Sequence, residues 1–328
     1  MNNIRLGIVG LGHIGKIHLQ AINSLQSLKI TALCDTNIDV FDNLKNYIPA
    51  EDVQCYSDIE LMVRQRNFDW IIVATPNTSH FQLANFIIEN NIPVILEKPA
   101  CKTRHQFYHL LHVCKTKNLP IYFALHSAYG LEVEYFLTNK DKILKSFGTP
   151  VKFESVFYDF YIKNGKLTPS GISLGNPWID SGVNALSILS RLGFVDNLEL
   201  DYADKQTNVN NDEPFSTFKH YYKIKNEPNL QLPLVSGTIE TSWNTSSSDK
   251  KTIIKFSDND SLILLHSSQS MLYDKNNEVK QIFVGQRDRL YNHYVNVFSD
   301  FIACTMSNDF NYNNTLASNS HFAFFENE

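Results

Sequence analysis

The feature that most constrains the fold of this chain is a glycine-rich segment near its start, Gly10–Gly15 (GLGHIG). It directly follows a short apolar run, Ile4–Val9, and a helical pattern of apolar residues comes after it. A carboxylate, Asp35, lies about 20 residues beyond the last glycine, at the end of a second apolar run. Together these signals are typical of the dinucleotide-binding turn of a Rossmann fold, and they predict a nicotinamide dinucleotide as ligand.

Each glycine of this segment has its own physical role. Gly10 permits the tight turn, Gly12 lets a pyrophosphate approach the backbone, and Gly15 lets the helix pack closely against the strand. The helix N-terminus supplies partial positive charge and free N–H groups. Asp35 can accept hydrogen bonds from ribose hydroxyls and repels a 2′-phosphate, and Thr36 offers no guanidinium to bind one. We therefore expect NAD as the cofactor rather than NADP.

Two further segments follow predicted strands, where an open parallel sheet binds its ligands: Ala74–Asn77 and Glu97–Pro99. The Lys98 ammonium would lie beside the positively charged ring of an oxidised nicotinamide, and such a position does not stabilise the fold. Its amine is therefore expected to bind a substrate oxygen or to move a proton. The alternative is a surface lysine on a loop. The residues expected to bind the cofactor are Gly10, Leu11, Gly12, His13, Ile14, Gly15, Asp35, Thr36, Ala74, Thr75, Pro76, Asn77, Glu97 and Lys98.

Short apolar runs alternate with helical patterns over the first third of the chain, which predicts right-handed βαβ units and a parallel sheet. The predicted strands are Ile4–Val9, Ile30–Cys34, Asp69–Ala74, Pro93–Leu96 and Pro120–Leu125, and the predicted helices are Lys16–Ser24, Thr78–Glu89 and Arg104–Lys117. The fold class is therefore α/β, with an NAD(P)-binding Rossmann domain at residues 1–125.

After His126 the pattern changes to short apolar runs separated by polar turns, which is typical of a mostly antiparallel sheet. The predicted strands are Val151–Asp159, Gly237–Trp243, Lys251–Phe256, Ser261–His266, Met271–Tyr273 and Val279–Val284, and the predicted helices are Asp180–Leu192 and Arg289–Cys304. Residues 201–235 predict an insertion or a long hairpin, and Asn308–Asn314 a surface loop. Residues 126–328 are expected to form an α+β substrate domain with an open, mostly antiparallel sheet.

Composition narrows the possible partners. The chain has 328 residues, which is enough for two domains, and a net charge of −5 without a basic stripe, which argues against nucleic acid. No apolar stretch approaches the roughly 18 residues that a membrane span needs. The five cysteines are odd in number and lack CxxC spacing, so reduced thiols, no metal site and a cytoplasmic location are expected. The N-terminus does not resemble a signal peptide.

The segments GLGHIGKIH, ALCD, ATPNTSH and EKP, at these spacings, resemble the glucose–fructose oxidoreductase/inositol dehydrogenase/MocA (Gfo/Idh/MocA) family. The resemblance covers nearly the whole chain. It implies a second domain whose open sheet is used for dimer contacts, so that a homo-oligomer, a dimer or a tetramer, is expected. It also implies that Lys98 is a catalytic-site residue and that the Lys98–Pro99 bond is cis.

A second-domain motif refines this resemblance. Many family members have Asp and His four residues apart in a D-x-G-x-H element, whereas here Asp180 is followed by Asn184. This version is similar to the D-P-G-x-N-A-x-S-I-L motif of the sugar 1-dehydrogenases that act on L-arabinose or D-galactose, with Ser181 in place of proline. His126 and Trp243 also resemble that subgroup. The resemblance gives the expected substrate-binding residues as Lys98, His126, Asp159, Asp180, Asn184 and Trp243.

Asp180 and Asn184 are one helical turn apart, so their side chains share one face of the predicted helix. The amide of Asn184 cannot exchange a proton, so the base is Asp180 or Lys98. An anomeric hydroxyl is more acidic than an ordinary alcohol, which favours a carboxylate base, and we assign Lys98, Asp180 and Asn184 as catalytic. Structural alternatives are a helix N-cap for Asp180 and core positions for His126 and Trp243.

These expectations define an NAD(P)-dependent dehydrogenase that oxidises an aldose at C1 to its lactone. The alternatives within enzymes are a polyol or inositol dehydrogenase and a keto-sugar reductase of the same family. An alternative from another class is a non-catalytic regulator that senses NAD and sugar on the same fold. The presence of both Lys98 and Asp180 favours the enzyme.

Overall fold

A computed structural model describes residues 3–44, 47, 53–195, 198–206, 213–224, 236–275, 278–285 and 288–325 of the chain. They form two compact units. The first comprises Met1–His126 with Leu290–Ala317, and the second comprises Ser127–Arg289 with Ser318–Glu328. The α-helices are α1 His13–Asn23, α2 Ile59–Gln65, α3 His80–Glu89, α4 Arg104–Lys117, α5 Leu131–Thr138, α6 Lys140–Phe147, α7 Pro169–Leu174, α8 Pro177–Arg191, α9 Arg289–Ser307 and α10 Asn311–Phe325.

The first unit is built on a six-stranded parallel sheet with the strand order β3-β2-β1-β4-β5-β6. Its strands are β1 Ile4–Val9, β2 Leu28–Cys34, β3 Gln54–Tyr56, β4 Trp70–Val73, β5 Val94–Glu97 and β6 Ile121–Ala124. Every residue of β4, β5 and β6 is buried, as in strands with both faces covered. This order is that of a Rossmann sheet, so the predicted fold of the N-terminal region is confirmed.

Helix α9, which the sequence predicts as a long amphipathic helix, packs on this sheet through its apolar side. The ring of Phe301 meets Trp70 of β4 edge-on at a centroid distance of 5.0 Å. The hydroxyl of Tyr122, on β6, lies 3.0 Å from the Val297 carbonyl oxygen and 2.9 Å from Asp300 Oδ2, and it can donate its proton to either. A buried tyrosine hydroxyl needs such partners, so the contact fixes the position of the helix as well as burying its surface.

The prediction of a surface loop at Asn308–Asn314 is wrong from Asn311 onward, where α10 begins. Asn313 is fully buried, and its side-chain amide pairs with both main-chain groups of Phe123. Its Oδ1 accepts from the Phe123 N–H at 2.8 Å, and its Nδ2 donates to the Phe123 carbonyl at 3.1 Å. Phe123 lies on β6, an edge strand, so Asn313 pairs main-chain groups that would otherwise be buried without partners.

The second unit contains an eight-stranded sheet with the order β10-β11-β12-β7-β13-β14-β15-β16. Its strands are β7 Pro150–Tyr158, β10 Leu198–Gln206, β11 Thr217–Ile224, β12 Ser236–Ser242, β13 Asp249–Phe256, β14 Ser261–Leu265, β15 Ser270–Lys275 and β16 Glu278–Phe283; the short pair β8 Ile162–Lys163 and β9 Lys166–Leu167 lies outside it. The pair β12–β7 is parallel and the other neighbours are antiparallel, which confirms the predicted mostly antiparallel sheet.

The long hairpin predicted for residues 201–235 is present as the antiparallel pair β10–β11. Residues 207–212 and 225–235 of that prediction lie outside the described residues. Helix α8 packs on β7, β11 and β12.

Burial alternates along the strands of this sheet, as it does in a sheet with one covered face. On β7, Phe153, Ser155 and Phe157 are buried, whereas the residues between them, such as Val156, are only partly buried. On β13 the same alternation leaves Ile253 partly exposed. Homo-oligomerisation through this open face, which the resemblance implies, stays a prediction. Within the described residues, no helix is long and apolar enough to span a membrane.

A titratable residue lies inside the second unit, on β11. His220 is 2% exposed, and its ring stacks on Trp178 of α8 at a centroid distance of 3.6 Å. Burial lowers the pKa of His220 to about 4, because the charged imidazolium loses its hydration there. The folded protein therefore holds this imidazole in its neutral form.

We expect this burial to make stability depend on pH. Between about 6.5, the ordinary pKa of histidine, and about 4, the unfolded chain protonates His220 and the folded chain does not. The free energy of unfolding should therefore fall as pH decreases through this window, by about 3 kcal/mol for one such group. Urea unfolding across this range should show a smaller fall for His220→Phe, which keeps a stacked ring. His112→Phe, at an exposed histidine of α4, is the control, and parallel curves for wild type and His220→Phe would contradict the assignment.

Candidate active site

The glycine turn after β1 has the geometry that the sequence predicts. Gly10 has a φ of +91°, and a Cβ at this position would lie 2.7 Å from the Ala74 carbonyl oxygen. A Cβ at Gly15 would lie 2.1 Å from the Gly10 oxygen, so only glycine lets α1 start this close to the turn. At Gly12, in contrast, a Cβ would meet no described atom within 4 Å. The turn is therefore closed on the protein side and open where a pyrophosphate would approach.

The N-terminus of α1 is suited to an anion. Gly12 is its N-cap, and among the described residues no side chain caps it and no acidic residue lies in its first turn. The N–H groups of His13 and Ile14 belong to the first turn of a helix, whose N–H groups have no intrahelical acceptor, and the helix dipole adds partial positive charge there. These residues fit the phosphates of a dinucleotide.

Asp35, at the end of β2, is held by two main-chain groups. Its Oδ2 accepts from the Leu11 N–H at 2.8 Å, and its Oδ1 accepts from the Asn37 N–H at 2.9 Å. The carboxylate thus ties the glycine turn to the segment after β2, while each oxygen keeps a lone pair for a ribose hydroxyl. Thr36 is exposed beside it.

The loops after β4 and β5 are joined by His80, a residue that we did not assign to the cofactor site. Its Nε2 lies 2.8 Å from the Thr75 carbonyl oxygen and its Nδ1 lies 2.8 Å from that of Pro99. Burial lowers the pKa of His80 despite these acceptors, so the neutral ring donates to one of them. Among the described residues, the buried Asn77 Nδ2 has no acceptor, which fits a loop that contacts a bound cofactor.

A buried carboxylate precedes Lys98. Glu97 is 4% exposed, and its Oε1 accepts from His18 Nε2 at 2.9 Å and from the Tyr294 hydroxyl at 2.6 Å. Its Oε2 accepts from the Lys98 N–H at 3.1 Å. Burial would raise the pKa of Glu97, but the hydrogen bond and charge of His18, the Tyr294 hydroxyl and the Lys98 charge outweigh it and lower the pKa. The ionised carboxylate fixes the main chain from which Lys98 projects, and the Lys98–Pro99 bond is cis, as the resemblance implies.

His126, a predicted substrate residue, lies in the first unit beside Tyr294, which binds this carboxylate. It is 5% exposed, and its Nδ1 lies 3.3 Å from the Nδ1 of His293 on α9. Its ring centroid lies 5.4 Å from that of Tyr294. One of the two facing nitrogens has to donate and the other accept. This packing supports the core alternative for His126, and its contact with substrate stays a prediction.

In the second unit, α8 carries Asp180 and Asn184 inside the fold. The helix begins before the predicted start, with Asn176 as its N-cap: Asn176 Oδ1 accepts from the Ile179 N–H at 2.9 Å. The N-cap alternative for Asp180 is therefore wrong. Asp180 is 5% exposed and Asn184 is 7% exposed, and Asn184 Nδ2 donates to the Asp180 carbonyl at 3.2 Å.

Asp180 belongs to a cluster at one end of the eight-stranded sheet, the carboxylate cluster, formed by Asp159, Asp180, Ser181 and Lys250. The Lys250 ammonium lies 2.7 Å from Asp159 Oδ1. The Ser181 hydroxyl lies 3.2 Å from Asp159 Oδ2 and 3.4 Å from Asp180 Oδ2, so it can donate to either carboxylate. The two predicted substrate residues Asp159 and Asp180 are thus brought together through Ser181, where the related motif has proline.

Lys250 was not among the predicted site residues, although the sequence contains a signal for it. Thr252, Ile254 and Phe256 of β13 are buried, and Lys250 continues this alternation. A lysine on the covered face of a strand is unusual unless a carboxylate pairs with it. Strand alternation therefore could have identified Lys250 as a site candidate.

Two aromatic residues lie beside the cluster. Trp243 is 1% exposed and meets the ring of Tyr161 edge-on at a centroid distance of 5.2 Å. Among the described residues, Trp243 Nε1 has no acceptor. Burial and the charges of Asp180 and Asp159 raise the pKa of Tyr161, which Arg289 partly offsets. Tyr161 therefore stays protonated and can donate a hydrogen bond. Among the described residues, no group of three or more His, Cys, Asp or Glu side chains is arranged to hold a metal ion.

The glycine turn, the carboxylate after β2 and the strand order define a nicotinamide-dinucleotide-binding Rossmann protein. Residues 4–124 match the family model GFO_IDH_MocA, described as an oxidoreductase family with an NAD-binding Rossmann fold. This match confirms, for residues 4–124, the resemblance to the Gfo/Idh/MocA oxidoreductase family that the sequence analysis predicts. The finer resemblance to sugar 1-dehydrogenases stays a prediction.

Curated relatives align with part of the chain. The rhizopine catabolism protein MocA of Rhizobium meliloti is 27% identical over 111 residues, which cover 32% of this chain and 32% of the relative. An inositol 2-dehydrogenase of Agrobacterium fabrum (strain C58) is 32% identical over 101 residues, which cover 30% of each chain. The chain thus spans about a third of the length of the curated relatives it matches.

Solved structures resemble the chain over nearly its whole length. An oxidoreductase from Agrobacterium radiobacter in complex with NAD+, L-tartaric acid and magnesium has a TM-score of 0.77 at 13% identity, covering 100% of this chain and 98% of that one. A 3-ketoreductase from Actinomadura kijaniata in complex with TDP-benzene and NADP has a TM-score of 0.78 at 13% identity, covering 98% and 96%. At this identity the likeness shows the two-domain fold alone.

We predict that the chain prefers NAD, because the Asp35 carboxylate would lie against the 2′-phosphate of NADP. Fluorescence titration should give a lower Kd for NADH than for NADPH. Asp35→Ser with Thr36→Arg should shift the ratio of the two Kd values by about tenfold or more toward NADPH, since the guanidinium can bind the phosphate. Thr36→Ser is the matched control and should leave the ratio unchanged. Equal or tighter binding of NADPH by the wild-type protein would contradict the prediction.

Proposed function

We propose that this chain is an NAD-dependent dehydrogenase that oxidises C1 of an unphosphorylated aldose, galactose- or arabinose-like, to the lactone. The observation that carries the proposal is the pair Asp180 and Asn184 on α8: a carboxylate beside a second carboxylate, with an amide where many relatives have histidine. In the described part of the second unit, two cations act at this site: Lys250, which Asp159 neutralises, and Arg289, whose charge acts on Tyr161. The carboxylates of Asp159 and Asp180 oppose them, which argues against a phosphorylated sugar.

The chemistry follows from the residue types. Oxidation at C1 removes a hydride from carbon and a proton from the hydroxyl, and a C=O bond forms. Bound NAD+ supplies the hydride acceptor. Asp180 accepts the hydroxyl proton in this proposal, because Asn184 cannot exchange one and is left to orient a hydroxyl by hydrogen bonding. An anomeric hydroxyl loses its proton more readily than a ring alcohol, so a weakly basic carboxylate suffices.

Lys98 is assigned to bind the substrate oxygen that loses its proton. Its main chain is anchored by the Glu97 carboxylate, which fixes the origin of the side chain. An ammonium at that oxygen stabilises negative charge as the proton leaves, and electrostatic help of this kind is worth most in a site closed to water. Lys98 is also the second candidate for the base, and the order in which Lys98 and Asp180 take the proton is left open.

A second candidate function is oxidation of a cyclitol or reduction of a keto-sugar. The names of two relatives favour it, an inositol 2-dehydrogenase and, among the solved structures, a 3-ketoreductase. Asn184 in place of histidine speaks against it, because a ring alcohol needs a stronger base than an anomeric hydroxyl. A non-catalytic sensor would bind the cofactor and a sugar without turnover.

We expect NADH formation from NAD+ with D-galactose or L-arabinose as substrate. Mass spectrometry should identify the product as an aldonolactone that hydrolyses to the acid. The corresponding methyl glycoside should be inert, because it has no free anomeric hydroxyl. Turnover of that glycoside, or recovery of a sugar oxidised at another carbon, would exclude C1 and favour the second candidate; cofactor binding without turnover of any sugar would favour the sensor.

Lys98→Ala and Asp180→Asn should each lower kcat by about 100-fold or more, as expected when a group that transfers a proton or stabilises charge in the chemical step is removed. The Kd for NADH should stay within a few-fold of wild type in both. Lys102→Ala, at an exposed lysine close to Lys98 in sequence, is the matched control and should keep wild-type kcat. A loss confined to the KM for the cofactor would show that Lys98 only binds it.

A further inference from the structure

The ion pair between Asp159 and Lys250 lies where the covered face of the eight-stranded sheet ends. Along β7 this face carries Phe153, Ser155 and Phe157, and Asp159 follows in the same alternation. On β13, Lys250 is paired in register with Phe157. The apolar interior therefore gives way to a pair of opposite charges at one end of the sheet, next to α8 and its Asp180.

The pair is nearly buried but keeps unused hydrogen-bonding capacity. The side chains of Lys250 and Asp159 are 13% and 10% exposed, and the 2.7 Å contact between them uses one of the three ammonium protons. Among the described residues, Lys250 Nζ makes no second ion pair and no hydrogen bond to another group. Each Asp159 oxygen has one side-chain donor, Lys250 or Ser181, and room for another. Trp243 Nε1 close by also lacks an acceptor among the described residues.

Such an arrangement is a poor way to stabilise a fold. Removing two charges from water costs on the order of several kcal/mol per ion, and their attraction offsets this cost only when the remaining donors and acceptors are satisfied. Among the described residues, two ammonium protons of Lys250 and one lone pair on each Asp159 oxygen have no partner in the protein. A ligand that offers both donors and acceptors would satisfy them.

We propose that Asp159 and Lys250 form a subsite for two neighbouring hydroxyl groups of a sugar-like substrate, with Lys250 as a residue that determines specificity. One hydroxyl donates to the Asp159 carboxylate, and its neighbour accepts from the Lys250 ammonium. The pair carries no net charge, and a second carboxylate, Asp180, lies beside it, so the subsite selects a neutral polyhydroxylated ligand over a sugar acid or a phosphate. This subsite rests on the proposed function for its substrate class, but not on the carbon that is oxidised.

Ser181 connects the subsite to the assigned base. Its hydroxyl reaches both Asp159 and Asp180, at 3.2 and 3.4 Å. A substrate bound by Asp159 and Lys250 is thereby held next to the carboxylate that takes its proton. The hydroxyls that are recognised are therefore close to the reacting carbon rather than at a distant end of the substrate.

The test is a cycle that combines a change in the protein with a change in the substrate. Lys250→Met and the wild-type holoenzyme are compared on D-galactose and each of its monodeoxy analogues. We expect Lys250→Met to lower kcat/KM on galactose by about tenfold to 100-fold, mostly through KM, as for a lost hydrogen bond to a charged group. One monodeoxy analogue should lose a similar factor on the wild-type enzyme and little more on Lys250→Met. If the loss in kcat/KM caused by Lys250→Met and the loss caused by the missing hydroxyl multiply for every analogue, the proposed subsite is wrong.

The matched control is Lys251→Met. Lys251 is the next residue of β13, it pairs with an aspartate at the same 2.7 Å, and it faces the opposite side of the sheet. Lys251→Met should keep the wild-type ratio of kcat/KM between galactose and its monodeoxy analogues. Because Lys250→Met leaves Asp159 buried without its counter-charge, the double variant Lys250→Met with Asp159→Asn removes both charges and is measured as well. The double variant should lose the discrimination between galactose and the monodeoxy analogue as Lys250→Met does. If it discriminates between them as the wild type does, the proposal is wrong.

A binding measurement separates this subsite from the proposed function. Quenching of tryptophan fluorescence by D-galactose and by myo-inositol is followed in the NADH complex, where no turnover occurs. If no sugar is oxidised but binding is present and Lys250→Met loses about tenfold or more in affinity, the function is wrong and the subsite stands. If Lys250→Met binds both compounds as the wild type does, or if the wild type binds neither, the subsite is wrong.

Discussion

A negative charge inside the first unit is the constraint on which its site depends. The Glu97 carboxylate is nearly inaccessible to water and is ionised because His18, Tyr294 and the Lys98 amide all donate to it. Losing one partner of such a group costs on the order of several kcal/mol, so the elements that supply the donors have to assemble together. His18 lies on α1, directly after the glycine turn, and Tyr294 lies on α9. The turn that fits a dinucleotide and the segment that carries Lys98 are therefore anchored to one carboxylate.

Local signals in the sequence predicted much of this arrangement. The strand at Ile4–Val9 and the helix at Arg104–Lys117 have the predicted bounds, because apolar periodicity and capping act within a few residues. The glycines were predictable for the same reason: Gly10 needs a positive φ, and Gly15 touches its own turn. Asp35 was predictable because its spacing from the turn is set by one βαβ unit.

The parts that were not predicted depend on contacts between residues far apart in the chain. His18 and Glu97 are separated by 79 positions, and Tyr294 and Glu97 by 197, so no local pattern connects them. Asn313 was placed in a surface loop because asparagine favours turns, whereas its amide pairs with an edge strand 190 positions away. Propensity describes what a residue prefers on its own, and here tertiary contacts outweigh it. The contact between Lys250 and Asp159 was missed because the predicted strand began at Lys251, two residues after the start of β13.

In the function that we propose, the site in the second unit works without a histidine at the position of Asn184. A histidine titrates near neutral pH and can serve any alcohol, whereas a carboxylate is a weaker base and suits only a hydroxyl that is already acidic. The rate then depends more on the position of the base than on its basicity, because a weak base has to lie in the right geometry to accept the proton. Ser181 links Asp180 to Asp159, and Asp159 is held by Lys250, so in our proposal the base belongs to the same hydrogen-bonded group that binds the neighbouring hydroxyls. Recognition of those hydroxyls and the position of the reacting hydroxyl beside its base would then come from the same group of side chains.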